Sequence, residues 1–546
     1  MLIAITSLTL FMISVQARST TGNTTSRPNI IIFLADDVGW NNVQWHNPDI
    51  KTPHSMNLLK EGIELDRHYA FLYCSPSRSS LMTGRLPFHV QQFNRPNYDL
   101  NQGAHRNFTF ISRKLKSAGY QTHHLGKWHL GMSSWGHIPK GRGFDTSLAY
   151  FEGGEDPVSQ RTCADTMCFV PVNSSTKPPK EMKKFSSMPF DFWEDTHPAR
   201  SRVGSGQHSD FLFNDIAIKT VEDHDPSKGP MFMYYAGSSA HTPLEPPQRF
   251  LDLYPEDWYL DRRQYAALCT MWDEVLFNLT SALKSKGMWE NTILLFSSDN
   301  GGPVYWSLDD DFPHGAGANN WPLLGGKVSN WEGGVRVASF LSGGLVPQKM
   351  YGRKLSAYIH FCDWYATFCS LAGVDPEDKV AEMFNLPPID SINQWPILSG
   401  ETNEPLRTEI PISVDVQLEL KGAGKFLNPK SSALIQGDMK YLEGIQVQTF
   451  HQGNNFPNSS RYGMLTDPLL FKRCPKPRGG CLFNITADPS EEINLAESFP
   501  ELCKKMSDRV NELRKTAFQT KSDASQRQEC YAQIRKNNNF FGPWLS

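Results

Sequence analysis

Residues 30–37 read Ile-Ile-Ile-Phe-Leu-Ala-Asp-Asp, so a run of large apolar side chains meets two aspartates directly. Three later segments follow the same pattern, in which a short run gives way abruptly to polar or glycine-rich sequence. The runs are 119–124, 231–235 and 293–296, and the polar or glycine-rich segments that follow them are 126–129, 238–243 and 297–302. Runs of this kind predict central strands of a parallel sheet that is buried on both faces. Because ligands of such sheets lie beyond the carboxyl ends of the strands, we expect the polar residues to meet at one site.

Helical periodicity separates these runs, and alternation of strands and helices predicts an α/β sandwich around a large, mostly parallel sheet. The clearest helix has apolar residues at three- and four-residue spacing, namely Tyr265, Leu268, Trp272, Val275, Leu276, Leu279 and Leu283. After about residue 405 the pattern changes to strand-like pieces at 432–435 and 439–445 and an amphipathic helix at about 498–514. This region predicts a smaller C-terminal α+β domain with an antiparallel sheet, at 406–546, behind a first domain at 29–405.

The first residues predict export from the cell. Residues 8–15 are an apolar stretch that ends in Val15-Gln16-Ala17, which is typical of a secretory signal peptide at 1–17, followed by a flexible polar segment at 18–28. No later run is long enough to span a bilayer. A net charge of −3 gives no indication of nucleic-acid binding. Asn-x-Ser/Thr sequences support the secretory route as glycosylation sites; they stand at Asn23, Asn107, Asn173, Asn278, Asn458 and Asn484.

Ten cysteines in an exported chain predict some disulfides. Cys163 with Cys168 and Cys474 with Cys481 are close pairs in polar sequence and are the best candidates. Cys362 and Cys369 share a helical face and could equally be core thiols, while Cys269 is expected to be buried and inert. Cys503 and Cys530 stay unassigned.

Residues 74–85 read Cys-Ser-Pro-Ser-Arg-Ser-Ser-Leu-Met-Thr-Gly-Arg. Pro76 indicates the first turn of a helix and Gly84 its end. Cys74 would then lie at a helix N-terminus, where free N–H groups and the dipole favour an anion, with Arg78 one turn further on the same face. The pattern Cys-x-Pro-x-Arg-x-x-x-x-Thr-Gly-Arg resembles the signature of the formylglycine-dependent sulfatases. That resemblance implies an alkaline phosphatase-like fold and oxidation of Cys74 to formylglycine by a formylglycine-generating enzyme.

The acidic strand ends indicate a metal site. Asp36, Asp37, Asp299 and Asn300 offer only oxygen ligands, which suit a hard cation, calcium before magnesium or manganese. Adjacent aspartates in a buried crevice could not both stay ionised without a cation between them. A turn or helix cap is the alternative for either pair alone. The family resemblance implies that these four residues and the modified Cys74 hold one calcium ion.

Four basic residues resemble further family positions: Lys127 and His129 in Gly126-Lys127-Trp128-His129, His241, and Lys327 in Gly326-Lys327-Val328-Ser329. Cations at the leaving group stabilise the charge that develops when a sulfate ester is cleaved. We interpret Lys127, His241 and Lys327 as substrate-binding and all four as catalytic, together with Cys74 and Arg78. His123 and His124 fall inside a predicted strand and are interpreted as structural.

The resemblance also implies a mechanism. The hydrated formylglycine attacks sulfur, aided by calcium and Asp299, while His241 and Lys327 stabilise and protonate the departing alcohol. His129 then takes the proton of the second hydroxyl, which releases sulfate, and Arg78 and Lys127 hold the hydrate in place. A serine in place of Cys74 would lack that second hydroxyl.

The likeness covers nearly the whole chain and is strongest to the arylsulfatase B-like, or N-acetylgalactosamine-4-sulfatase-like, arylsulfatases. It implies a lysosomal or secreted enzyme that removes sulfate from N-acetylgalactosamine 4-sulfate units of glycosaminoglycans. Two departures affect that substrate: residues 303–317 form a longer, acidic segment beside the metal ligands, and no cysteine stands between Cys74 and Cys163. Another sulfated sugar or an aryl sulfate is therefore an alternative substrate. A two-zinc phosphatase of the same fold and a catalytically silent binder of sulfated glycans are alternative functions.

Overall fold

The computed structural model describes most of the chain. The described residues are 27–95, 98–162, 188–304, 317–417, 420–422, 425–427, 430–457, 471–475, 480–518, 520–523 and 525–545. The predicted signal peptide and nearly all of the N-terminal segment 18–28 lie outside these ranges, as do Cys163 and Cys168.

The described part of the chain forms strands and helices with the following bounds. The strands are β1 Asn29–Ala35, β2 Ile63–Leu65, β3 His68–Tyr69, β4 Gln121–Lys127, β5 Thr146–Tyr150, β6 Glu155–Asp156, β7 Arg161–Thr162, β8 Trp193–Glu194, β9 His197–Pro198, β10 Met231–Ala236, β11 Thr292–Ser298, β12 Ser339–Ser342, β13 Arg353–Leu355, β14 Ile359–His360, β15 Glu409–Gln417, β16 Leu420–Gly422, β17 Lys425–Leu427, β18 Lys430–Gln436, β19 Met439–Val447, β20 Phe471–Cys474 and β21 Cys481–Asn484. The helices are α1 Pro53–Lys60, α2 Cys74–Thr83, α3 Pro87–Val90, α4 Ile111–Ser117, α5 Ser209–Asp223, α6 Gln248–Leu251, α7 Leu260–Ser285, α8 Glu332–Val335, α9 Asp363–Ala372, α10 Lys379–Met383, α11 Trp395–Leu398, α12 Pro500–Thr516 and α13 Arg527–Lys536.

A ten-stranded mixed sheet is the centre of the fold, in the order β13-β2-β12-β11-β1-β10-β4-β5-β8-β9. The four strands predicted from apolar runs are its neighbouring central strands, β11, β1, β10 and β4, and all pair in parallel. The predicted α/β sandwich with a mostly parallel sheet is confirmed. Because the strands are in register, Ala35 pairs with Ser298, and the residues that follow β1 and β11 leave the sheet side by side.

Both faces of the sheet are buried, which explains why β1, β10 and β11 carry no polar alternation. Along β1, Ile30, Ile32 and Leu34 face one core, which includes α4 and α9. Ile31 and Phe33 face the other core, which includes the long helix α7. The apolar side of α7, predicted from its spacing, accounts for much of that second core.

The C-terminal region forms a separate antiparallel sheet in the order β15-β18-β19-β20, with β21 also paired to β19. Its antiparallel character and the amphipathic helix α12 confirm the prediction. Cys503, Met506, Val510 and Leu513 are buried residues of α12 and pack against this sheet. The predicted disulfide between Cys474 and Cys481 is present. A second C-terminal helix, α13, was not predicted, since its sequence is largely polar.

The cysteines and sequons that can be placed lie as follows. Cys269, Cys362, Cys369 and Cys503 are buried free thiols, so Cys362 and Cys369 are core thiols; Cys530 is also buried. Asn107 and Asn278 are half-buried, Asn278 within α7, and Asn484 ends β21. Asn173 and Asn458 lie outside the described residues. Along the residues that can be described, no helix has the length and apolarity needed to cross a bilayer.

Candidate active site

The ends of β1 and β11 bring the predicted acidic ligands together. Asp36, Asp37 and Asp299 are fully buried, and one oxygen of each lies with the Cys74 Sγ in a cluster whose atoms are all within 4.8 Å of one another. The Asp37 backbone N–H donates to Asp299 Oδ1 at 3.2 Å, which ties the two strand ends directly. The predicted convergence of these residues is therefore observed.

Cys74 is the first residue of α2, as its sequence predicts, and Gly84 ends the helix in the left-handed region with φ 68°. Ser77 fixes the entry into the helix, because its Oγ accepts the Phe71 N–H at 2.9 Å. The thiol lies 3.8 Å from Asp36 Oδ1 and is buried. Burial raises the pKa of the Cys74 thiol to about 12, so the unmodified residue is a poor nucleophile.

Arg78 lies one turn along α2 and is fully buried. Its Nε donates to Asp299 Oδ2 at 2.9 Å, and its Nη1 donates to the Lys127 carbonyl oxygen at 3.2 Å. The third guanidinium nitrogen, Nη2, lies 3.6 Å from Asp36 Oδ1. The planar fork thus fixes the two strand ends relative to the helix that carries Cys74.

Two lysines extend from opposite sides of the cluster. Lys127, at the end of β4, places its Nζ 2.6 Å from Asp36 Oδ2. Lys327 places its Nζ 2.6 Å from Asp37 Oδ1. Burial alone would raise the pKa of the Asp37 carboxyl, but the Lys327 ammonium outweighs it and holds this pKa well below its usual range.

His241 follows β10 and lies on the Asp37 side, with Nε2 3.7 Å from Asp37 Oδ2. Its Nδ1 is 2.7 Å from the Thr242 carbonyl oxygen, so this nitrogen carries the hydrogen in the neutral ring. Burial, and then the nearby Lys127, lower the pKa of His241 to about 3. A neutral His241 therefore presents its Nε2 lone pair to the site.

His129 lies across from these groups in tight surroundings. Its Nδ1 is buried without a hydrogen-bond partner, and burial together with Lys127 holds its pKa well below the usual range. A Cβ added to Gly153 would lie 2.8 Å from the His129 ring, so only glycine fits against it. His129 itself has φ 52°, and Asp37 and Val328 have φ 65° and 68°. Such strained backbone clusters at functional sites.

The donor set fits a hard cation. Asn300 donates through Nδ2 to Asp37 Oδ1 at 2.8 Å, while its Oδ1 is buried without a partner. A buried acceptor left unpaired is expected where a cation supplies the missing contact. Burial also raises the pKa of the Asp36 carboxyl to about 7, which a bound cation would reverse. Asp36, Asp37, Asp299 and Asn300 could thus hold a hard divalent cation, such as the calcium ion that the family resemblance implies.

The structure places the remaining sequence predictions away from the cluster. His124 is buried, with Nε2 3.4 Å from the Lys127 carbonyl oxygen, and His123 contacts Thr146 Oγ1 at 2.8 Å, so both are strand residues with local partners. Most of the acidic segment 303–317 lies outside the described residues, and its place beside the metal ligands stays a prediction.

Asp210 belongs to the site but carries no sequence signal. It lies in the first turn of α5 and accepts hydrogen bonds from the backbone N–H groups of Ser238 and Ser239 at 2.8 and 3.1 Å. Both serine hydroxyls donate to it as well. One carboxylate therefore holds the turn that leads into His241, although the two segments are remote in sequence.

Comparisons with known proteins agree with this geometry. The family model described as Sulfatase matches residues 28–374. Arylsulfatase J of Mus musculus is 31% identical over 539 residues, which cover 95% of this chain and 81% of that protein. N-acetylgalactosamine-6-sulfatase of Mus musculus is 27% identical over 374 residues, which cover 66% of each chain.

Solved structures share the fold over almost the whole chain. The crystal structure of Ps i-CgsB in complex with k-i-k-neocarrahexaose matches with a TM-score of 0.69 and 26% identity, covering 94% of this chain and 98% of that chain. The PsFucS1 sulfatase from Pseudoalteromonas sp. matches with a TM-score of 0.65 and 22% identity, covering 91% of this chain and 92% of that one.

Proposed function

The chain belongs to the sulfatase family, and we propose that it hydrolyses sulfate esters of carbohydrates at the Cys74 centre. In this proposal Cys74 is converted to formylglycine and one calcium ion is held by Asp36, Asp37, Asp299 and Asn300. The observation that carries the proposal is the cluster of three buried carboxylates around Cys74 at the N-terminus of α2.

Two groups absent from the chain itself supply part of the chemistry. Formylglycine made from Cys74 and then hydrated would supply two hydroxyls, one that could attack sulfur and one whose loss of a proton would expel the sulfate and restore the aldehyde. Calcium, when bound, supplies positive charge that favours an ionised hydroxyl and an anionic ester.

The fixed charges of the site suit an anionic ester. The carboxylates of Asp36, Asp37 and Asp299 are matched in number by the cations of Arg78, Lys127 and Lys327. A divalent ion would therefore leave an excess of positive charge in a buried site, where it acts strongly. Lys127 and Arg78 also restrain Asp36 and so keep the reacting side chain in place.

The two histidines divide the proton transfers. His129 is neutral because burial lowers its pKa, so it can accept the proton of the second hydroxyl. His241 presents Nε2 on the Asp37 side, and the proton that the attacking hydroxyl gives up could reach the departing alcohol through this nitrogen. Lys327 stands beside it; burial alone would lower its pKa, but Asp37 outweighs this and raises it, so the ammonium stabilises the developing negative charge.

The substrate that we propose is a sulfated sugar, with N-acetylgalactosamine 4-sulfate units of glycosaminoglycans as the first candidate. Support comes from the names of the relatives, one of which is an N-acetylgalactosamine-6-sulfatase, and from the neocarrahexaose complex of a structural neighbour. We further propose that the enzyme acts in lysosomes or outside the cell. The formylglycine-generating enzyme would then modify it in the secretory pathway.

Mass spectrometry of the peptide His68 to Arg78 tests the proposal, using protein from a host with the formylglycine-generating enzyme. We expect residue 74 to be lighter by the change from thiol to aldehyde, and turnover of sulfated sugars that Cys74→Ser abolishes. An unmodified thiol together with tight, unhydrolysed glycan binding would favour the silent binder instead. Steady turnover by Cys74→Ser would exclude the formylglycine role.

A further inference from the structure

The structure contains Cys74 as a buried, unmodified thiol, and the neighbours of its Sγ suit a different metal from calcium. One ligand atom each from Cys74, Asp37 and His241 forms a cluster in which all three atoms lie within 4.8 Å of one another. This cluster shares two residues with the acidic cluster described above, but it adds an imidazole nitrogen. Thiolate sulfur, imidazole nitrogen and carboxylate oxygen are the donors that bind zinc in proteins.

His241 is held in the form that binds a metal through Nε2. Its Nδ1 is 2.7 Å from the Thr242 carbonyl oxygen, which places the ring hydrogen on Nδ1 and the lone pair on Nε2. Metal-binding histidines typically donate their second nitrogen in this way, because the bond fixes the tautomer and the direction of the ring. Nε2 lies 3.7 Å from Asp37 Oδ2. Two ligands that are each about 2.0 Å from a tetrahedral zinc ion are about 3.3 Å apart, so a small movement would admit the ion.

Asp37 can accept a further contact beside Lys327. The Lys327 Nζ lies 2.6 Å from Asp37 Oδ1 and 2.7 Å from Oδ2. Each carboxylate oxygen has two lone pairs, so Oδ2 can bind a metal and Lys327 together.

The charges of the site also suit zinc with a thiolate. The carboxylates of the acidic cluster and the three cations around it are equal in number. Calcium with the neutral hydrate of formylglycine would therefore add two positive charges, whereas zinc with a thiolate adds one. Because unbalanced charge is costly in a buried site, the thiol form favours a metal that displaces its proton.

We infer that the unmodified chain binds one zinc ion through Cys74 Sγ, His241 Nε2 and a carboxylate oxygen of Asp37, with water as the fourth ligand. The ion replaces the thiol proton, which leaves to solvent, so the sulfur binds as a thiolate. In the modified chain, formylglycine offers oxygen where the thiol offers sulfur, which favours calcium over zinc. The two metals exclude each other, because both use Asp37. The zinc site belongs to the unmodified chain and therefore does not rest on the proposed sulfate hydrolysis.

The test uses the full chain from a host without the formylglycine-generating enzyme, with mass spectrometry to verify that residue 74 is a thiol. After a chelator has removed all metals, cobalt(II) is added as a spectroscopic probe of the zinc site, and zinc is then titrated against it. We expect one cobalt ion per chain, a thiolate-to-cobalt charge-transfer band and the intense visible absorption of four-coordinate cobalt. Zinc should remove both signals, and calcium should not.

Variants show which residues bind the metal. Cys74→Ser should abolish the charge-transfer band. Cys503→Ser should keep it, because this buried thiol lies on α12, outside the cluster, and a serine can still donate to the Ala496 carbonyl oxygen. His241→Ala should weaken zinc binding by more than the roughly tenfold to hundredfold that the loss of an outer-shell partner costs. Asp299→Asn, which removes a carboxylate of the acidic cluster only, should weaken it by less than about tenfold.

A charge-transfer band that persisted in Cys74→Ser, or an unchanged zinc affinity in His241→Ala, would overturn the inference. The weak spectrum of six-coordinate cobalt without a charge-transfer band would also overturn it, because the metal would then lie among the carboxylates alone. So would a wild-type thiol form that bound neither cobalt nor zinc. Thermal unfolding of each variant shows that it is folded. None of these measurements reads enzyme activity, so a modified protein that failed on every sulfate ester would overturn the proposed function and leave the zinc result unaffected.

Discussion

Asp210 shows how one residue outside the reacting groups can set their geometry. Its carboxylate accepts four hydrogen bonds from Ser238 and Ser239, just before His241. We predict that Asp210→Asn lowers kcat on nitrophenyl sulfate by at least about tenfold, because an amide nitrogen facing these donors shifts His241. KM should change less, since Lys127 and Lys327, the other two residues interpreted as substrate-binding, are untouched. The measurement is steady-state kinetics with a thermal unfolding curve for each protein.

Asp215→Asn is the matched control for that prediction. Asp215 lies on the same helix, α5, but its side chain is exposed, so its replacement should leave kcat unchanged. If both variants lost activity equally, or if Asp210→Asn raised KM alone, a role for Asp210 in positioning His241 would be wrong.

For single residues, the sequence identifies site residues that directly follow a buried strand. It does not identify residues whose role depends on contacts with segments that are remote in sequence. Asp36 and Asp299 could be found because each follows an apolar run at the edge where ligands bind. Asp210 could not, because what distinguishes it is the set of hydrogen-bond donors that the remote Ser238-Ser239 segment brings to it. A buried carboxylate with donors and one without are identical in sequence.

Among the elements, the short helix α8 links the site to the C-terminal sheet. Lys440, on β19, is fully buried between Glu332 Oε1 at 3.0 Å and Glu491 Oε1 at 2.9 Å. The backbone of α8 contacts the segment beside Asn300, because the Gly301 N–H donates to the Gly334 carbonyl oxygen at 2.9 Å. One buried lysine thus connects β19 to the segment beside Asn300.

We predict that Lys440→Met destabilises the protein by about 3–5 kcal/mol at neutral pH, because two buried carboxylates lose their counter-charge. Burial already raises the pKa of Glu491 to about 7. A carboxyl with a raised folded-state pKa binds its proton more readily in the folded state, so stability rises as pH falls from about 7 toward 4.5. The stability deficit of the variant should therefore shrink in acid, as denaturant unfolding at several pH values would measure.

Lys430→Met is the control for this prediction, because it lies at an exposed position of β18 and should show no such deficit. A deficit of Lys440→Met that did not depend on pH would contradict the electrostatic explanation.

The elements differ in how well the sequence predicts them. Central strands such as β1 and β11 are apolar on both faces, and that pattern is visible along the chain. The edge strand β13 and its neighbour β2 have three residues each and depend on pairing partners that the sequence does not identify. Helix α13 was missed because it packs few of its residues, among them Cys530 and Ile534, against the first core.

On the scale of the whole molecule, the end of the chain returns to the large sheet. Phe541 is fully buried in the core that holds α4 and α9, and its backbone N–H donates to the Phe190 carbonyl oxygen at 2.9 Å. The change in sequence pattern predicts a domain boundary near residue 405, with all later residues in the second domain. That boundary stays a prediction. Phe541 lies after it in the sequence but packs in the first core of the large sheet.

We predict that Phe541→Ala costs about 3 kcal/mol or more of stability, because a fully buried aromatic side chain is removed from a packed core. Phe499→Ala is the control, since that ring is 48% exposed and should cost little. Chemical unfolding of both variants would decide. Equal, small losses would show that the C-terminal residues contribute little to the first core.

Several buried titratable groups change the free energy of unfolding as pH falls, and they act in opposite directions. Burial lowers the pKa of His68 and of His124 to about 3, so both are neutral in the folded protein. Burial raises the pKa of Glu152 to about 8 and of Asp191 to about 7, so these carboxyls bind protons more readily when folded. Histidines of this kind destabilise the fold as pH falls below about 6.5, while such carboxyls stabilise it. The pH dependence of the free energy of unfolding is the sum of these effects. A single contribution can therefore be isolated only by comparing the wild type with a variant that lacks the group.

His68 allows that difference to be measured. It lies on β3, where the Trp364 Nε1 donates to its Nε2 at 2.9 Å, and Gln at this position could still accept that hydrogen bond. In the unfolded wild type His68 takes up a proton below about pH 6.5, whereas in the folded state it does not until about pH 3. Between pH 7 and 5 the wild type should therefore lose about 2 kcal/mol of stability relative to His68→Gln. Urea unfolding of both proteins at the two pH values measures this change. Parallel curves would mean that His68 is protonated inside the fold, which its apolar surroundings and its role as an acceptor for Trp364 both oppose.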